Sequence, residues 1–213
     1  MRLVVADDVM IVRAGLLRLL TEAGMQVDGE ASDAAHLLRL VAVERPEVAI
    51  VDIRMPPTYR DEGLVAAREI RTRYPHTAVL VLSQYIATRY AERLLADQPA
   101  GLGYLLKERV SDIDVLTDAV RRVAAGGCVV DPTIVQRLLG RTGLAAAGLT
   151  PRERDVLALM AEGHSNAAIA QRLGIRERTV EAACAQIFAK LGLLPDPDVN
   201  RRVLAVIKVL RGA

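Results

Sequence analysis

The hydrophobic pattern divides the chain into two parts, and the first part ends at about residue 125. In that part, short aliphatic runs alternate with longer stretches whose apolar residues recur at helical spacing. The predicted strands are Leu3–Ala6, Gln26–Ala31, Val48–Val51, Ala78–Leu82 and Gly103–Leu106. The predicted helices are Met10–Ala23, Ala34–Glu44, Gly63–Tyr74, Ala87–Asp97 and Ile113–Ala125. Five βα units in series predict an α/β fold, a doubly wound (βα)5 domain with a parallel sheet and helices on both faces.

The second part of the chain has a different pattern. Asp131-Pro132 predicts a short helix through Leu139, with Asp as N-cap and Pro at the first helical position. The Gly-rich stretch Gly140–Gly148 is typical of a flexible linker. Four helices and no strand are predicted beyond it, over Arg152–Glu162, Asn166–Leu173, Glu177–Leu191 and Pro197–Leu210. The sequence therefore predicts an α/β domain over 1–126, a linker with a short helix over 127–148 and a small all-α domain over 149–213.

Composition restricts the class of protein. The chain has 213 residues, of which 52% are hydrophobic and 3% aromatic, so two modest domains with aliphatic cores are expected. No apolar stretch approaches the ~20 residues that span a bilayer, and no secretory signal is evident. Cys128 and Cys184 have no metal-ligand spacing, and we expect reduced thiols. We therefore expect a cytoplasmic protein without a membrane contact.

The C-terminal part is slightly more basic than the rest. Residues 149–213 carry ten Lys and Arg against seven Asp and Glu, whereas the remainder carries eighteen against nineteen. So small an excess permits a nucleic-acid contact in the C-terminal part but does not demonstrate one.

Charged residues stand where three of the predicted strands end. Asp7 and Asp8 close the first strand, Asp52 closes the third, and Lys107 follows the fifth. Because ligands bind beyond the carboxyl ends of the strands in an open parallel sheet, these side chains are expected to converge. Crowded carboxylates need a cation between them, and Mg²⁺ prefers oxygen ligands. A lysine opposite would hold an added anion, so the pattern predicts a pocket that accepts a phosphoryl group.

Over about 125 residues, this set of residues resembles the receiver domain of two-component response regulators. The matching residues are Asp7-Asp8, Asp52-Ile53-Arg54-Met55-Pro56, Ser83 and Tyr104-Leu105-Leu106-Lys107. The resemblance implies a flavodoxin-like receiver that takes a phosphoryl group from a sensor histidine kinase. It implies no enzymatic activity beyond promotion of the receiver's own phosphorylation and dephosphorylation.

The resemblance also implies which residues hold the metal. Asp8 and Asp52 would bind Mg²⁺ directly, together with the backbone carbonyl of Arg54. Asp7 would act through water or as a further ligand. Asp52 would be the nucleophile that becomes an aspartyl phosphate.

Three further residues would respond to the phosphoryl group. Lys107 would pair with one phosphoryl oxygen, and Ser83 would donate its hydroxyl to another. Their movement would leave space for Tyr104 to rotate inward as a packing switch. Considered alone, Ser83 is more typical of a strand-end cap and Tyr104 of half-buried packing.

Two features depart from the receiver pattern. Glu108 follows Lys107, where receivers usually have Pro in a cis bond, so we expect no cis bond there. The loop Met55–Gly63 is longer than usual. Its Asp61 and Glu62 would add negative potential near the site unless the loop is simply solvated.

Residues 149–210 resemble the LuxR-type helix-turn-helix of NarL/FixJ response regulators. The matching segments are Leu149-Thr150-Pro151-Arg152-Glu153-Arg154-Asp155-Val156-Leu157, Gly163-His164-Ser165-Asn166, Ile169-Ala170, Leu173-Gly174, Thr179-Val180 and Lys190-Leu191. Ser165 is expected to cap the first helix of the motif and Gly174 to allow the turn. The next helix would lie in the major groove.

The recognition helix departs from the family pattern. Family members usually carry a basic residue where Glu181 stands and His where Ala183 stands. Glu181 would weaken the attraction to phosphates, although it can accept a hydrogen bond from a cytosine amino group. The residues expected to contact DNA are Ser165, Asn166, Arg176, Arg178, Thr179, Glu181, Ala182, Ala185 and Lys190.

The last predicted helix carries an apolar stripe of Val199, Val203, Val206 and Leu210. Such a stripe packs within its own domain more often than against a partner. The resemblance nevertheless implies a homodimer contact on DNA, with half-sites about one helical turn apart.

The two resemblances together imply a transcription factor in which phosphorylation of Asp52 switches a domain that binds promoter DNA. The alternative is a phospho-switched regulator whose effector domain acts by protein contact with weak or no DNA binding; Glu181 and Ala183 favour it. A metal-dependent phosphatase for small molecules would explain the acidic residues but not the helix-turn-helix.

Overall fold

The computed structural model describes residues 1–85, 90, 94, 100–135, 148–195 and 200–211. The chain forms two compact units, one with Met1–Tyr90 and Ala100–Val129 and the other with Ala91–Pro99 and Val130–Ala213. Within the described residues, no helix is long and apolar enough to cross a bilayer.

A six-stranded sheet lies at the centre of the first unit, in the order β2-β1-β3-β4-β5-β6. Neighbouring strands run parallel from β2 through β5. The strands are β1 (Arg2–Ala6), β2 (Gln26–Ala31), β3 (Val48–Asp52), β4 (Ala78–Ser83), β5 (Leu102–Leu106) and β6 (Cys128–Val130). The five predicted strands are confirmed. The short edge strand β6 was not predicted, because three residues show no usable period.

Helices cover both faces of this sheet, as predicted. They are α1 (Met10–Glu22), α2 (Ala34–Glu44), α3 (Glu62–Arg73) and α4 (Ile113–Ala124), preceded by the 3-10 helix Lys107–Ser111. α1 packs beside α4, and α2 packs beside α3. Alternate residues of each strand therefore face one or the other helical layer, and both sides of the central strands are buried. The predicted helix Ala87–Asp97 lies largely outside the described residues.

The second unit is all-helical over its described residues after a short N-terminal segment. Its helices are α5 (Pro151–Ala161), α6 (Asn166–Leu173), α7 (Glu177–Lys190) and α8 (Arg201–Arg211). A helical turn over 132–135 follows the predicted cap, whose carboxylate accepts a hydrogen bond from Thr133 N at 2.9 Å. The remainder of that predicted helix, the linker over 140–147, and Pro197 and Val199 of the last predicted helix lie outside the described residues.

The predicted helix caps of the second unit are confirmed. Thr150 accepts a hydrogen bond from Glu153 N, and the Glu153 side chain accepts one from Thr150 N, so the capping box is complete. Ser165 caps α6 by accepting from Ala168 N. Gly174 ends α6 at φ 63°, a left-handed conformation that glycine adopts without a steric cost.

Candidate functional site

Three carboxylates converge where β1 and β3 end. Asp7 and Asp8 follow β1, Asp52 is the last residue of β3, and each offers an oxygen within 4.8 Å of the others. Asp7 is fully buried, Asp52 is 5% exposed and Asp8 is half-buried. The sequence-predicted cluster is therefore assembled in the structure.

Lys107 lies directly against this cluster. Its Nζ is 2.7 Å from Asp7 Oδ2 and 3.1 Å from Asp52 Oδ1. Lys107 reaches this position because β5 runs parallel to β4 and ends at the same edge of the sheet. The 3-10 helix begins at Lys107 and includes Glu108, which stands where a receiver usually has proline.

Burial opposes ionisation of Asp52. It raises the pKa of the Asp52 carboxyl to about 6; the positive charge of Lys107 counteracts the shift, and the Asp7 carboxylate adds to it. Burial alone would lower the pKa of Lys107, but its contacts with Asp7 and Asp52 outweigh burial and raise it. The lysine is therefore charged at neutral pH. Burial destabilises the ionised Asp52 carboxylate, and a further cation would stabilise it.

The oxygen donors fit a hard divalent metal ion. Three carboxylates without sulfur or imidazole suit a cation of this class better than zinc. One lysine cannot balance three negative charges, so the cluster retains a negative excess that favours cation binding. Residues Asp7, Asp8 and Asp52 could hold such an ion.

Backbone contacts keep the acidic loop in place. Asp7 Oδ1 accepts a hydrogen bond from Val9 N at 3.0 Å. Arg13, on α1, donates from Nη1 to the carbonyl oxygen of Asp7 at 2.7 Å and from Nε to Glu30 Oε2 at 2.9 Å. The sequence interpretation did not identify Arg13, because an arginine near the start of a helix carries no local signal of its partner.

A close helix–strand approach shapes the other side of the site. A Cβ atom on Gly63 would lie 1.7 Å from the carbonyl oxygen of Asp52, so only glycine allows α3 to begin this near to β3. The loop before it is organised by Glu62, whose carboxylate accepts hydrogen bonds from Thr58 N at 3.0 Å and Arg60 N at 2.9 Å. The Glu62 charge thus stabilises its own loop. The one cis peptide bond in the described residues joins Pro56 and Pro57 within this loop.

Ser83 and Tyr104, the remaining predicted switch residues, both lie in strands beside the cluster. Ser83, the last residue of β4, donates its hydroxyl to the carbonyl oxygen of Tyr85 at 2.7 Å. The Tyr85 ring in turn carries the Arg54 guanidinium, whose Cζ is 4.7 Å from the ring centroid. Tyr104, in β5, is fully buried rather than half-buried.

In the second unit, α7 presents most of the predicted DNA contacts to solvent. Its inner face is buried and consists of Val180, Cys184, Ile187 and Phe188. Cys184 thus fills a core position, as predicted. The exposed predicted contacts are Ser165, Arg176, Arg178, Thr179, Glu181, Ala182, Ala185 and Lys190.

Two of the predicted DNA contacts have partners within the unit. Lys190 Nζ lies 2.7 Å from Glu153 Oε2 and 3.1 Å from the carbonyl oxygen of Gly148, so it ties the end of α7 to the start of α5. Asn166 Oδ1 accepts a hydrogen bond from Arg202, which also donates to the carbonyl oxygen of His164. These partners are 36 to 42 positions away in the sequence, beyond what local patterns reveal.

Two family models match the chain. The response regulator receiver domain matches residues 3–121, and the luxR family of bacterial regulatory proteins matches residues 147–202. The acidic cluster and Lys107 lie in the first match, and helices α5 to α7 lie in the second.

Relatives and solved structures share both parts. The oxygen regulatory protein NreC of Staphylococcus carnosus (strain TM300) is 32% identical over 211 residues, which cover 93% of this chain and 94% of NreC. The transcriptional regulatory protein DegU of Brevibacillus brevis is 32% identical over 232 residues, and the match covers 99% of this chain and 93% of DegU.

A solved structure of two RcsB dimers bound to two parallel DNAs is also similar, with 27% identity and a TM-score of 0.56. The match covers 100% of this chain and 98% of that chain. Three features indicate the same class of protein: the two matched domains, the acidic cluster at the strand ends and the exposed face of α7. The chain therefore belongs to the two-component response regulators of the NarL/FixJ family, which join a receiver domain to a LuxR-type DNA-binding domain.

Proposed function

We propose that Asp52 is the phosphoacceptor and takes its phosphoryl group from the phosphohistidine of a sensor histidine kinase. The supporting observation is the position of the Asp52 carboxylate, 3.1 Å from Lys107 Nζ and beside the carboxylates of Asp7 and Asp8. An Asp52 oxygen attacks phosphorus, the bond from phosphorus to the histidine nitrogen breaks, and that nitrogen keeps the electron pair. The activity that we assign to the chain is promotion of its own phosphorylation and dephosphorylation at Asp52.

Mg²⁺ is the cation that we assign to the acidic cluster. Asp8 and Asp52 would hold it directly with the backbone carbonyl of Arg54, and Asp7 would act as a further ligand or through water. When bound, the metal neutralises charge on the transferring group. Phosphorylation of Asp52 adds a charge of about −1.5 to −2. The Lys107 ammonium, 3.1 Å from the Asp52 carboxylate, is close enough to pair with the phosphoryl group.

The phosphoryl group changes the contacts of the switch residues. To donate to a phosphoryl oxygen, the Ser83 hydroxyl must leave the Tyr85 carbonyl, which it contacts at 2.7 Å. Movement of Ser83 and Lys107 repacks the strand ends around Tyr104. The receiver then alters the DNA-binding unit through the linker or by promoting a homodimer, which reads two half-sites of promoter DNA.

Phosphorylation with acetyl phosphate and Mg²⁺ tests the assignment of Asp52. We expect stoichiometric incorporation in the wild type and loss of it in Asp52→Asn, measured by intact mass or phosphate-affinity electrophoresis. Asp61→Asn is the matched control, because Asp61 is an acidic residue of the neighbouring loop outside the cluster. Unchanged incorporation in Asp52→Asn contradicts the assignment.

The second candidate function is that of an effector that works by protein contact. The exposed Glu181 favours it, since a carboxylate on the recognition helix opposes phosphate attraction. A salt titration with the protein's own promoter region separates the candidates. A steep negative slope of log affinity against log salt supports the transcription factor, and no binding at low salt supports the protein-contact effector.

A further inference from the structure

The recognition helix α7 has two faces of different character. The face formed by Val180, Cys184 and Ile187 is buried against the other helices. The opposite face is exposed and carries Arg178, Glu181, Ala182 and Ala185 at helical spacing. Because the second helix of a helix-turn-helix places its N-terminal part against base edges, this exposed face is the one available for readout.

Glu181 is an exposed carboxylate on this face. No hydrogen bond or ion pair within the described residues involves its side chain, in contrast to Glu153, which pairs with Lys190 at 2.7 Å. Its neighbours on this face are Ala182, the next residue, and Ala185, one turn later. These methyl side chains cannot donate a hydrogen bond to the carboxylate.

A carboxylate in the major groove can form hydrogen bonds with few base edges. It accepts hydrogen bonds only, so the acceptor edges of guanine and the O4 of thymine repel it. The amino groups of cytosine and adenine are donors, but the adenine amino group stands beside the N7 acceptor. Cytosine N4 is therefore the base atom that fits a glutamate best.

We propose that Glu181 determines operator specificity by accepting a hydrogen bond from the N4 amino group of a cytosine in each half-site. The inference rests on the proposed function, since it requires that α7 enters the major groove. Arg176 and Arg178, both exposed at the start of α7, supply positive charge that offsets the carboxylate. Ala182 and Ala185 allow close approach and can contact thymine methyl groups. Specificity is thus obtained at the expense of nonspecific affinity.

Selection of bound duplexes from a random library tests the inference. The full chain, activated with beryllofluoride and Mg²⁺, is compared with Glu181→Gln and Glu181→Ala at one low salt concentration. We expect the wild type to prefer cytosine at one half-site position by on the order of tenfold. Glu181→Gln should change that preference to adenine, since glutamine pairs with adenine N6 and N7. Glu181→Ala should lose the preference and bind all sequences more tightly.

Asp155→Asn is the matched control, because Asp155 is an exposed acid on α5. It removes the same charge and should leave the base preference at every position unchanged. If the wild type selects sequences and Glu181→Gln selects the same ones, Glu181 does not read a base and the inference is wrong. If the wild type binds no duplex at low salt, the DNA-binding function itself is wrong, and the inference is overturned with it. If the wild type binds every sequence equally, the inference alone is wrong.

Discussion

Asp52 combines two requirements that conflict in the absence of a metal. A nucleophile must be ionised, yet burial raises the pKa of this carboxyl to about 6 and the Asp7 carboxylate adds to the shift. Lys107 offsets only part of this effect. Cation binding should therefore be linked to the ionisation of Asp52, because the ion stabilises the carboxylate that burial disfavours.

The affinity for Mg²⁺ should fall as the pH drops through about 6. A carboxyl whose pKa is raised to about 6 is ionised above that pH and protonated below it, and the proton competes with the metal. Below this point we expect a loss of up to about tenfold per pH unit, measured by titration calorimetry between pH 5 and 7.5. Asp52→Asn should bind more weakly and lack this dependence. An identical pH profile in that variant contradicts the assigned pKa.

At the residue scale, the position of a residue in the sequence predicts which side chains converge at the site, but not which atoms they contact. Parallel strands end at one edge, so Asp7, Asp8, Asp52 and Lys107 could be placed together from the strand pattern alone. The contact of Ser83 with the Tyr85 carbonyl could not, because it depends on the direction of the following loop. The residues around the acidic cluster are thus predictable as a set, whereas their contacts are not.

At the scale of elements, α1 does more than cover the sheet. Its Arg13 joins the end of β1 to β2 through the Asp7 carbonyl and Glu30. The side chain is only 14% exposed, so the contact is sheltered from solvent screening. Arg13 therefore positions the acidic loop.

Arg13→Ala should weaken Mg²⁺ binding several-fold, because the loop that carries Asp7 and Asp8 loses its anchor. The measurement is the Mg²⁺ dissociation constant, with the melting temperature followed in parallel. Arg18→Ala is the control on the same helix, since the partner of Arg18 among the described residues is Glu22 on the exposed surface. Equal Mg²⁺ affinities in the two variants would show that Arg13 has no positioning role.

The end of α7 carries a tertiary contact that local sequence does not reveal. The sequence interpretation expected Lys190 to contact DNA. Its ammonium instead lies on Glu153, where hydrogen bonding from the ammonium lowers the pKa of the carboxyl. The partner is 37 positions away, so only the packing of α7 against α5 reveals it.

Salt dependence of DNA binding should distinguish Lys190 from Arg178. Arg178→Gln is expected to reduce the slope of log affinity against log salt by about one, the effect of one lost phosphate contact. Lys190→Gln should leave the slope unchanged and lower the stability of the DNA-binding unit by about 1 kcal/mol, measured by urea unfolding. A reduced slope in Lys190→Gln would show that Lys190 makes the DNA contact predicted from the sequence.

At the scale of the whole molecule, the sequence predicted both domains because each carries its own pattern. The change from strand-and-helix alternation to helices alone occurs near the division between the two compact units. Patterns within a domain are local, and each domain was identified from residues that it contains. Coupling between domains has no such local signature, so communication between Asp52 and the recognition helix requires a direct measurement.

The most direct test measures DNA affinity as a function of receiver modification. The affinity of the full chain for its own promoter fragment is determined at fixed salt with and without beryllofluoride and Mg²⁺, for the wild type and Asp52→Asn. We expect a several-fold change in the wild type and no change in Asp52→Asn, because the acceptor carboxylate is needed to hold the phosphoryl mimic. Equal affinities in the modified and unmodified wild type would contradict the central claim that Asp52 controls DNA binding.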